Sequence, residues 1–190
     1  MKVISTAPRL ANVKNPATAQ EIVFTKIFRH PHCSLSLQSF DVLGDLAAIY
    51  NLVADLMVPP YVYPDESRFV RSYMILLDQS IPVCEVDICS ALQDAVSDHI
   101  KAQTGDHMVR LLPASSRRIH RRLFTRVLQT CLEYFSSAPD VRRIFIECDI
   151  ENTWQQQLLL KAGFRLKEKI SHEYKTTNLY YFSTTRKFRG

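Results

Sequence analysis

The sequence predicts an α/β domain in which helices pack on a sheet, and three observations support this fold class. Short apolar runs with strand-like patterns recur along the chain, and stretches with helical periodicity lie between them. The chain has 190 residues, which suits one domain of ordinary size. The sequence contains no internal repeat and no low-complexity tract. These features favour an α/β sheet over an all-helical or an all-β domain.

The first half of the chain is predicted to contain four strands and one helix. Residues 21–28 and 34–40 are predicted strands, because apolar and polar residues alternate in the second and less regularly in the first. A helix is predicted at 42–57, where apolar residues recur at helical spacing until a proline pair ends it. The runs at 69–78 and 81–89 are predicted to form a hairpin, since only a short polar turn separates them.

The second half continues with alternating strands and helices. Its longest helix begins near Ser116 and carries an apolar face from Leu123 to Phe135 that leaves its arginines exposed. A second helix ends at Gly163, since a glycine after the last turn is a common C-terminal cap. The remaining predictions are a weakly helical stretch at 90–103, the second helix at 152–162, and strands at 107–112, 141–148, 164–170 and 179–184.

The composition is 46% hydrophobic and 23% charged, which is typical of a soluble globular protein. The longest apolar runs are far shorter than the roughly 20 residues that a membrane helix needs. Residues 1–19 lack the apolar core of a secretory signal, so we expect a cytoplasmic protein without a membrane segment. The polar and proline-containing stretch at 1–19 predicts a flexible arm before a single domain at 20–190.

The five cysteines form no CxxC pair, and several lie inside apolar runs. This pattern predicts reduced core residues. His30 and His32 flank a proline, but a third ligand in a recognisable pattern is missing from the sequence. We therefore predict no metal site.

The charge is unevenly distributed. Residues 1–106 contain 8 basic and 12 acidic residues, a net −4, whereas residues 107–190 contain 16 basic and 7 acidic residues, a net +9. A basic half suggests an anionic partner, either nucleic acid or a phosphate-rich small molecule, with a solvated basic face as the alternative. Nucleic acid is the weaker option, because the basic residues cluster at a helix start without interleaved aromatic residues.

Three motifs carry a resemblance to known enzymes. Glu147-Cys-Asp-Ile-Glu-Asn152, followed by Ala162-Gly163-Phe164, resembles the C-terminal motif of the GNAT superfamily of N-acyltransferases. The stretch from Gly105-Asp106 through Arg110 to Pro113, together with Asn178-Leu-Tyr180, is similar to the lysine N-acyltransferases of siderophore biosynthesis, of the aerobactin and mycobactin type. The resemblance extends over 34–185 in element order and over 104–180 at the level of motifs.

The resemblance implies a mixed, mostly antiparallel central sheet with helices on both faces. It also implies that acetyl-CoA or another acyl-CoA, as co-substrate, lies in a notch between two diverging central strands. Its pyrophosphate is expected at the N-terminus of the following helix, where unpaired N–H groups and the helix dipole favour anions. The implied partner is a small amine or hydroxylamine acceptor, and a homodimer is left open.

The expected phosphate loop departs from the family pattern. The superfamily has glycines there, whereas residues 115–122 contain none, and Arg118 and His120 stand in their places. Arginines can instead bind phosphate through charge-assisted contacts, so altered binding and lost binding both remain open. The resemblance assigns acyl-CoA contacts to Leu111, Leu112, Arg117, Arg118, His120, Arg121, Arg122 and Asn152.

The expected catalytic residues are Asp149 and Arg110. Asp149 matches the family's aspartate and would act as the general base if a low-dielectric cleft raises its pKa. Arg110 stands where the family has a histidine and cannot accept a proton. It would repel a cationic lysine-like acceptor, but could bind a carboxylate of the acceptor or polarise the thioester carbonyl. The alternative source of an imidazole is His107, if a bulge turns it to the face of Arg110.

Two neighbouring residues have both structural and functional interpretations. Glu147 shares a strand face with Asp149 and is expected to pair with Arg142 or Arg143. Trp154, the single tryptophan, is expected to pack on the sheet, with a wall of the acyl or pantetheine channel as the alternative.

The leading hypothesis is an N-acyltransferase that moves an acyl group, such as acetyl, from acyl-CoA to an amine or hydroxylamine, in siderophore or related secondary metabolism. The alternative is a catalytically inactive protein with the GNAT fold that serves in binding or regulation, which the altered loop and the missing histidine favour.

Overall fold

The protein is described by a computed structural model over residues 21–40, 71–113, 121–173 and 175–184. The predicted arm at 1–19 and the predicted helix at 42–57 lie outside the described residues. Within these ranges no helix is long and apolar enough to cross a membrane. The strands are β1 Ile22–Arg29, β2 His32–Phe40, β3 Arg71–Leu77, β4 Ile81–Ser90, β5 Asp106–Pro113, β6 Arg143–Asp149, β7 Arg165–Ser171 and β8 Thr176–Ser183. The helices are α1 Ser97–Ile100, α2 Arg121–Ser137 and α3 Thr153–Lys161, with a 3-10 turn at Ala91–Gln93.

The eight strands form one sheet in the order β1-β2-β3-β4-β5-β6-β8-β7. Neighbours are antiparallel throughout, except for β5 and β6, which are parallel. The predicted mixed, mostly antiparallel sheet is therefore confirmed. The parallel pair lies near the centre and joins a five-stranded part, β1 to β5, to a three-stranded part.

Helices cover both faces of the sheet, as predicted. On the first face, α2 and α3 enclose the larger core, which contains Phe135, Ile75 and Ile144. On the second face, the 3-10 turn and α1 cover a smaller core around Phe145 and Leu179. The five cysteines are buried free thiols, which confirms their prediction as reduced core residues.

The two longer helices follow from local sequence patterns. The buried residues of α2 recur at helical spacing and include Phe124, Leu128 and Phe135, which confirms the predicted apolar face. Asn152 caps α3, because its side chain accepts a hydrogen bond from the backbone N–H of Gln155 at 3.1 Å. The stretch at 114–120, where α2 was predicted to begin, lies outside the described residues.

The predicted hairpin between β3 and β4 is present. Asp78 and Gln79 both have positive φ, at 48° and 63°, a combination that matches the twist of paired strands. The Asp78 side chain also accepts the backbone N–H of Ser34 at 2.8 Å, which ties the turn to β2.

The parallel junction depends on Gly105 and Asp106. The carbonyl of Gly105 accepts the backbone N–H of Arg142 at 2.7 Å. Asp106 is 1% exposed, and its carboxylate accepts the guanidinium of Arg143, with one bond at 2.7 Å, and the backbone N–H of Gln103 at 2.8 Å. The Gly-Asp motif therefore holds the start of β5 against the start of β6.

Two predictions need correction here. Glu147 does not pair with Arg142 or Arg143: it accepts the hydroxyl of Thr177 at 2.6 Å and lies 2.8 Å from the ring of His172. Arg143 forms its ion pair with Asp106 instead, because the parallel register brings the starts of β5 and β6 together. The weakly helical stretch at 90–103 contains only the 3-10 turn and the single turn of α1.

The bounds of β8 also differ from the prediction. It begins at Thr176, three residues before the predicted start at 179. These first residues are polar and give no apolar signal, but they pair with β6 on one side and β7 on the other.

The junction predicts a difference between two glycine substitutions. We expect Gly105→Ala to lower the free energy of unfolding by about 3 kcal/mol, because a Cβ would lie 2.7 Å from the carbonyl oxygen of Asp140 at a φ of +90°. Gly163→Ala is the matched control: its φ is +96°, but its Cβ would meet only Phe182 at 3.4 Å. We expect that change to cost about 1 kcal/mol. Urea unfolding of both variants measures the difference, and equal losses would contradict the proposed role of Gly105.

Candidate active site

The central feature of the site is a notch between the two parallel strands. β5 and β6 pair only from Asp106 to Met108 with Arg143 to Phe145. Beyond these residues β5 continues to pair with β4, and β6 continues to pair with β8. The two strands therefore separate towards their C-terminal ends. Backbone N–H and C=O groups along the separating edges can bind a ligand that enters between them.

The first turns of α2 and α3 flank the open end of this notch, because each helix follows one of the two separating strands. The rings of Phe124 and Trp154 join these turns, with centroids 5.2 Å apart. Trp154 therefore packs as expected, and it also lines a groove of about 710 Å³ between the helices. This volume is typical of small-molecule sites. The groove also contains the cationic side chains of Arg121 and Lys161.

On the second face of the sheet, a polar cluster lies beside the notch. We define the carboxylate cluster as Ser72, Glu85, Asp87 and Arg110. The register places Asp87 directly opposite Ser72 on β3 and opposite Arg110 on β5. Glu85 is two residues along β4 on the same face, and it is 7% exposed, whereas Asp87 is 5% exposed. Two carboxyl groups are thus buried next to one arginine.

Burial changes the protonation of both carboxyl groups. Desolvation, with a smaller contribution from the charge of Asp87, raises the pKa of Glu85 to about 7. Desolvation also raises the pKa of Asp87, but the hydroxyl of Ser72, at 2.6 Å, and the charge of Arg110 oppose that change. Glu85 can therefore both accept and release a proton near neutral pH.

The sequence prediction missed Glu85 and Asp87. The signal was present, because both acids alternate with apolar residues inside the run from Val83 to Cys89. Such a run predicts a strand buried on both faces, so its two acids were candidates for buried charges.

The predicted catalytic pair is divided between two environments. Arg110 is half-buried in the carboxylate cluster. Asp149 is exposed at the end of β6, and its side chain accepts the backbone N–H of Glu151 at 2.8 Å. By strand alternation both residues belong to the second face. Their catalytic roles stay predictions.

The bulge that would bring His107 to the face of Arg110 is absent. The pairing of β4 with β5 is regular from Ser90 and His107 to Cys84 and Pro113. His107 therefore lies on the opposite face, with its Nδ1 atom 3.2 Å from the carbonyl oxygen of Gly105. The alternative that His107 replaces the missing imidazole was wrong.

The predicted acyl-CoA contacts fall in several places. Leu111 is buried in the larger core, and Leu112 lies opposite Glu85. Arg121 and Arg122 are exposed in the first described turn of α2, and Asn152 caps α3. Arg117, Arg118 and His120 lie outside the described residues.

The Asn178-Leu-Tyr180 motif ties β8 to the start of α3. The Gln156 side chain accepts hydrogen bonds from Asn178 at 3.1 Å and from the Tyr180 hydroxyl at 3.2 Å. It donates to the backbone carbonyls of Asp149 and Ile150, at 3.1 Å and 2.7 Å. This network fixes the backbone on the β6 side of the notch.

Comparisons with known proteins identify the fold. A family model described as an acetyltransferase (GNAT) domain matches residues 62–172. An uncharacterized protein from Bacillus halodurans superimposes with a TM-score of 0.73 at 15% identity, covering 85% of this chain and 90% of that one. Aminoglycoside acetyltransferase AAC(6')-Ib, in complex with coenzyme A and kanamycin, gives a TM-score of 0.66 at 16% identity over 82% and 99% of the two chains. A mutant of spermidine N-acetyltransferase SpeG from Vibrio cholerae gives 0.61 at 14% identity over 82% and 96%.

A search of curated proteins finds no match to this sequence. At such low identities, similarity to the solved structures establishes the fold alone. The family model, in contrast, matches more than half of the chain.

The raised pKa of Glu85 predicts a pH dependence of stability. An unfolded chain loses this proton near the ordinary pKa of 4.5, whereas the folded protein keeps it up to about pH 7. Folding is therefore progressively disfavoured as the pH rises between these two values, and the free energy of unfolding falls. We expect Glu85→Gln to remove about 2 kcal/mol of this fall.

Urea unfolding of the wild type and the variant, from pH 4.5 to pH 8, measures this effect. The exposed carboxylate of Glu151 provides the control, and Glu151→Gln should keep the pH dependence of the wild type. If Glu85→Gln keeps it as well, the Glu85 carboxyl ionises in the folded protein as it does in the unfolded chain.

Proposed function

Because the chain belongs to the GNAT acetyltransferase family, we propose that it transfers an acetyl group from acetyl-CoA to the nitrogen of a small amine acceptor. The observation that carries this proposal is the notch between β5 and β6, flanked by the first turns of α2 and α3. An extended thioester can enter such an opening and bind the unpaired edges of both strands. A backbone N–H there can also stabilise the oxyanion that forms at the thioester carbon.

The groove between α2 and α3 supports the donor part of the proposal. We place the pyrophosphate at the start of α2, with Arg117, Arg118, His120, Arg121 and Arg122 as its ligands. Bidentate arginine contacts then replace the backbone approach that glycines permit. Leu111 and Leu112 would contact the pantetheine arm through their backbone, and Asn152 would contact it from the start of α3.

The acceptor is proposed to be an amine on chemical grounds. The aminoglycoside and spermidine acetyltransferases among the solved structures act on amines, which supports this class. More specifically, we propose that the acceptor is a hydroxylamine or an amine of siderophore or related secondary metabolism. Its support is the sequence motif from Gly105 to Pro113 together with Asn178-Leu-Tyr180. In that role Asp149 would remove a proton from the acceptor, and Arg110 would polarise the thioester carbonyl.

The second candidate function is a GNAT-fold protein that binds or regulates without catalysis. The specific observation in its favour is the glycine-free stretch at 115–122. The two functions differ in whether acetyl-CoA binds.

The loop arginines provide the test of the proposed function. We expect the wild type to bind acetyl-CoA with a micromolar Kd in calorimetric titration. The triple variant Arg117→Ala, Arg118→Ala, Arg121→Ala should bind acetyl-CoA about 100-fold more weakly or worse, because each lost charge-assisted contact costs about 1 kcal/mol or more. Trp154 is the only tryptophan and lines the groove, so its fluorescence should change with the same Kd.

A matched control removes the same number of charges from the edge of the sheet. Arg165, Lys167 and Lys169 are exposed on β7, and their triple alanine variant should bind acetyl-CoA as the wild type does. If both triple variants lose the same affinity for acetyl-CoA, the loss reflects the net charge of the protein and not specific contacts of the loop arginines. Absence of wild-type binding at millimolar acetyl-CoA would overturn the proposed function and favour the non-catalytic alternative.

A further inference from the structure

The carboxylate cluster lies on the second face of the sheet, whereas the groove lies on the first. The notch opens to both faces, because it is a gap between two strands of one sheet. We propose that this cluster is the acceptor site, and that Glu85 binds the ammonium group of a cationic acceptor and takes its proton. This inference rests on the proposed function and specifies its acceptor class and its base.

The register of three strands places the cluster beside the edge of the notch. β5 forms one edge of the notch, and Arg110 and Leu112 lie on its second face. Asp87 is directly opposite Arg110, and Glu85 is directly opposite Leu112. Side chains opposite one another on paired strands are about 5 Å apart at Cβ. A group bound to Glu85 is therefore one strand away from the edge where a thioester would lie.

Glu85 and Asp87 differ in what stabilises their charged forms. The carboxylate of Asp87 accepts the hydroxyl of Ser72 at 2.6 Å and lies opposite Arg110. Glu85 lies opposite Leu112 and Met74, which are uncharged, and burial together with the charge of Asp87 disfavours its ionised form. An ammonium group next to Glu85 would stabilise the ionised carboxylate through its charge and its N–H donors.

The charges of the cluster favour a cation. Asp87 and Arg110 face each other with opposite charges, and each offsets the field of the other. Once Glu85 is ionised, the cluster carries one net negative charge. An ammonium group next to Glu85 would be stabilised, whereas the carboxylate of an acidic acceptor would meet two like charges. The structure thus favours a cationic acceptor over the acidic acceptor that Arg110 alone suggested.

The proton transfer follows from this arrangement. The ammonium group gives one proton to the Glu85 carboxylate and becomes a neutral amine. Its nitrogen lone pair forms a bond to the thioester carbon, and the carbon–sulfur bond then breaks. The nitrogen loses its second proton to the leaving thiolate, which gives the acetamide and the free thiol of coenzyme A. Glu85 finally releases its proton to water.

The environment of Glu85 supports this role near neutral pH. The charged groups that face it among the described residues are Asp87 on its own strand and Arg110 on β5, and its direct neighbours Met74 on β3 and Leu112 on β5 are uncharged. Burial and the charge of Asp87 raise the pKa of Glu85 to about 7. Above that pH the carboxylate is ionised while a primary amine with a pKa of about 10 is still an ammonium ion.

This combination gives a specific pH profile. For the wild type, kcat/KM with spermidine should rise up to about pH 7 and stay level to pH 9, because Glu85 accepts the proton of the bound ammonium. Glu85→Gln can use only the small fraction of free amine. Its kcat/KM should be about 100-fold lower at pH 7.5 and should rise about tenfold per pH unit up to pH 9.

Two matched variants separate Glu85 from other carboxylates. Asp149→Asn separates the two candidate bases, because loss of the level profile in this variant, together with a retained profile in Glu85→Gln, would assign the proton transfer to Asp149. Glu168→Gln removes a carboxylate from β7, and it should retain both the profile and the rate. A level profile in Glu85→Gln, or its loss in Asp149→Asn, would overturn the proposal.

The acceptor class is tested with lysine and kanamycin as further cationic amines, and with glutamate as an acidic amine. Preferred acetylation of glutamate, or acetylation of none of these amines by a protein that binds acetyl-CoA, would overturn the acceptor proposal and leave the proposed donor intact.

If acetyl-CoA does not bind, calorimetric titration with spermidine alone still tests whether Glu85 binds a cation. Binding that is tighter at pH 8 than at pH 6, and that Glu85→Gln weakens at least tenfold, supports the cation site, and its absence contradicts it.

Discussion

The ion pair between Asp106 and Arg143 closes the junction between β5 and β6, which form the parallel pair of the described sheet. Three residue pairs connect these two strands. The buried carboxylate of Asp106 stabilises this short contact through the guanidinium of Arg143 and the N–H of Gln103, and Gly105 permits the close approach of Arg142. Because the junction is fixed at one end, the strands can separate at the other without dividing the sheet. The position of the notch therefore depends on a polar interaction that lies at the opposite end of both strands.

The sheet separates two chemical environments, and the notch connects them. On the first face, α2 and α3 form a groove with aromatic and cationic side chains, which suits a long ligand that carries phosphates. On the second face, strand pairing brings together Glu85, Asp87 and Arg110 in a buried setting. A donor that enters from one face and an acceptor that binds on the other would meet at the notch. In the proposed reaction this division would give donor and acceptor separate sites, so that neither would have to leave before the other binds.

Sequence patterns predicted the features that depend on local contacts. The β3–β4 hairpin, the buried face of α2 and the cap of α3 are each determined by residues a few positions apart. The features that were missed depend on distant pairing. Glu147 contacts His172 and Thr177 because β6 lies beside β8, and β8 begins in polar residues because two neighbours hold it. Glu85 and Asp87 formed a local signal, but only the register with β5 and β3 shows that they share a site with Arg110 and Ser72.

Asp87, the cross-strand neighbour of Arg110, explains why the sheet tolerates an arginine at this half-buried position. An arginine cannot accept a proton, so a base at this position of the family would be lost. Asp87 lies directly opposite and offsets the charge, which allows the guanidinium to remain half-buried. Burial, together with the charge of Asp87, raises the pKa of Glu85 to about 7. Burial also raises the pKa of Asp87, but the hydroxyl of Ser72 and the charge of Arg110 oppose that rise. Different neighbours around two buried acids are a common way to divide charge compensation from proton transfer. In the proposed mechanism the base would thus lie on β4 instead of β5, on the same face of the sheet.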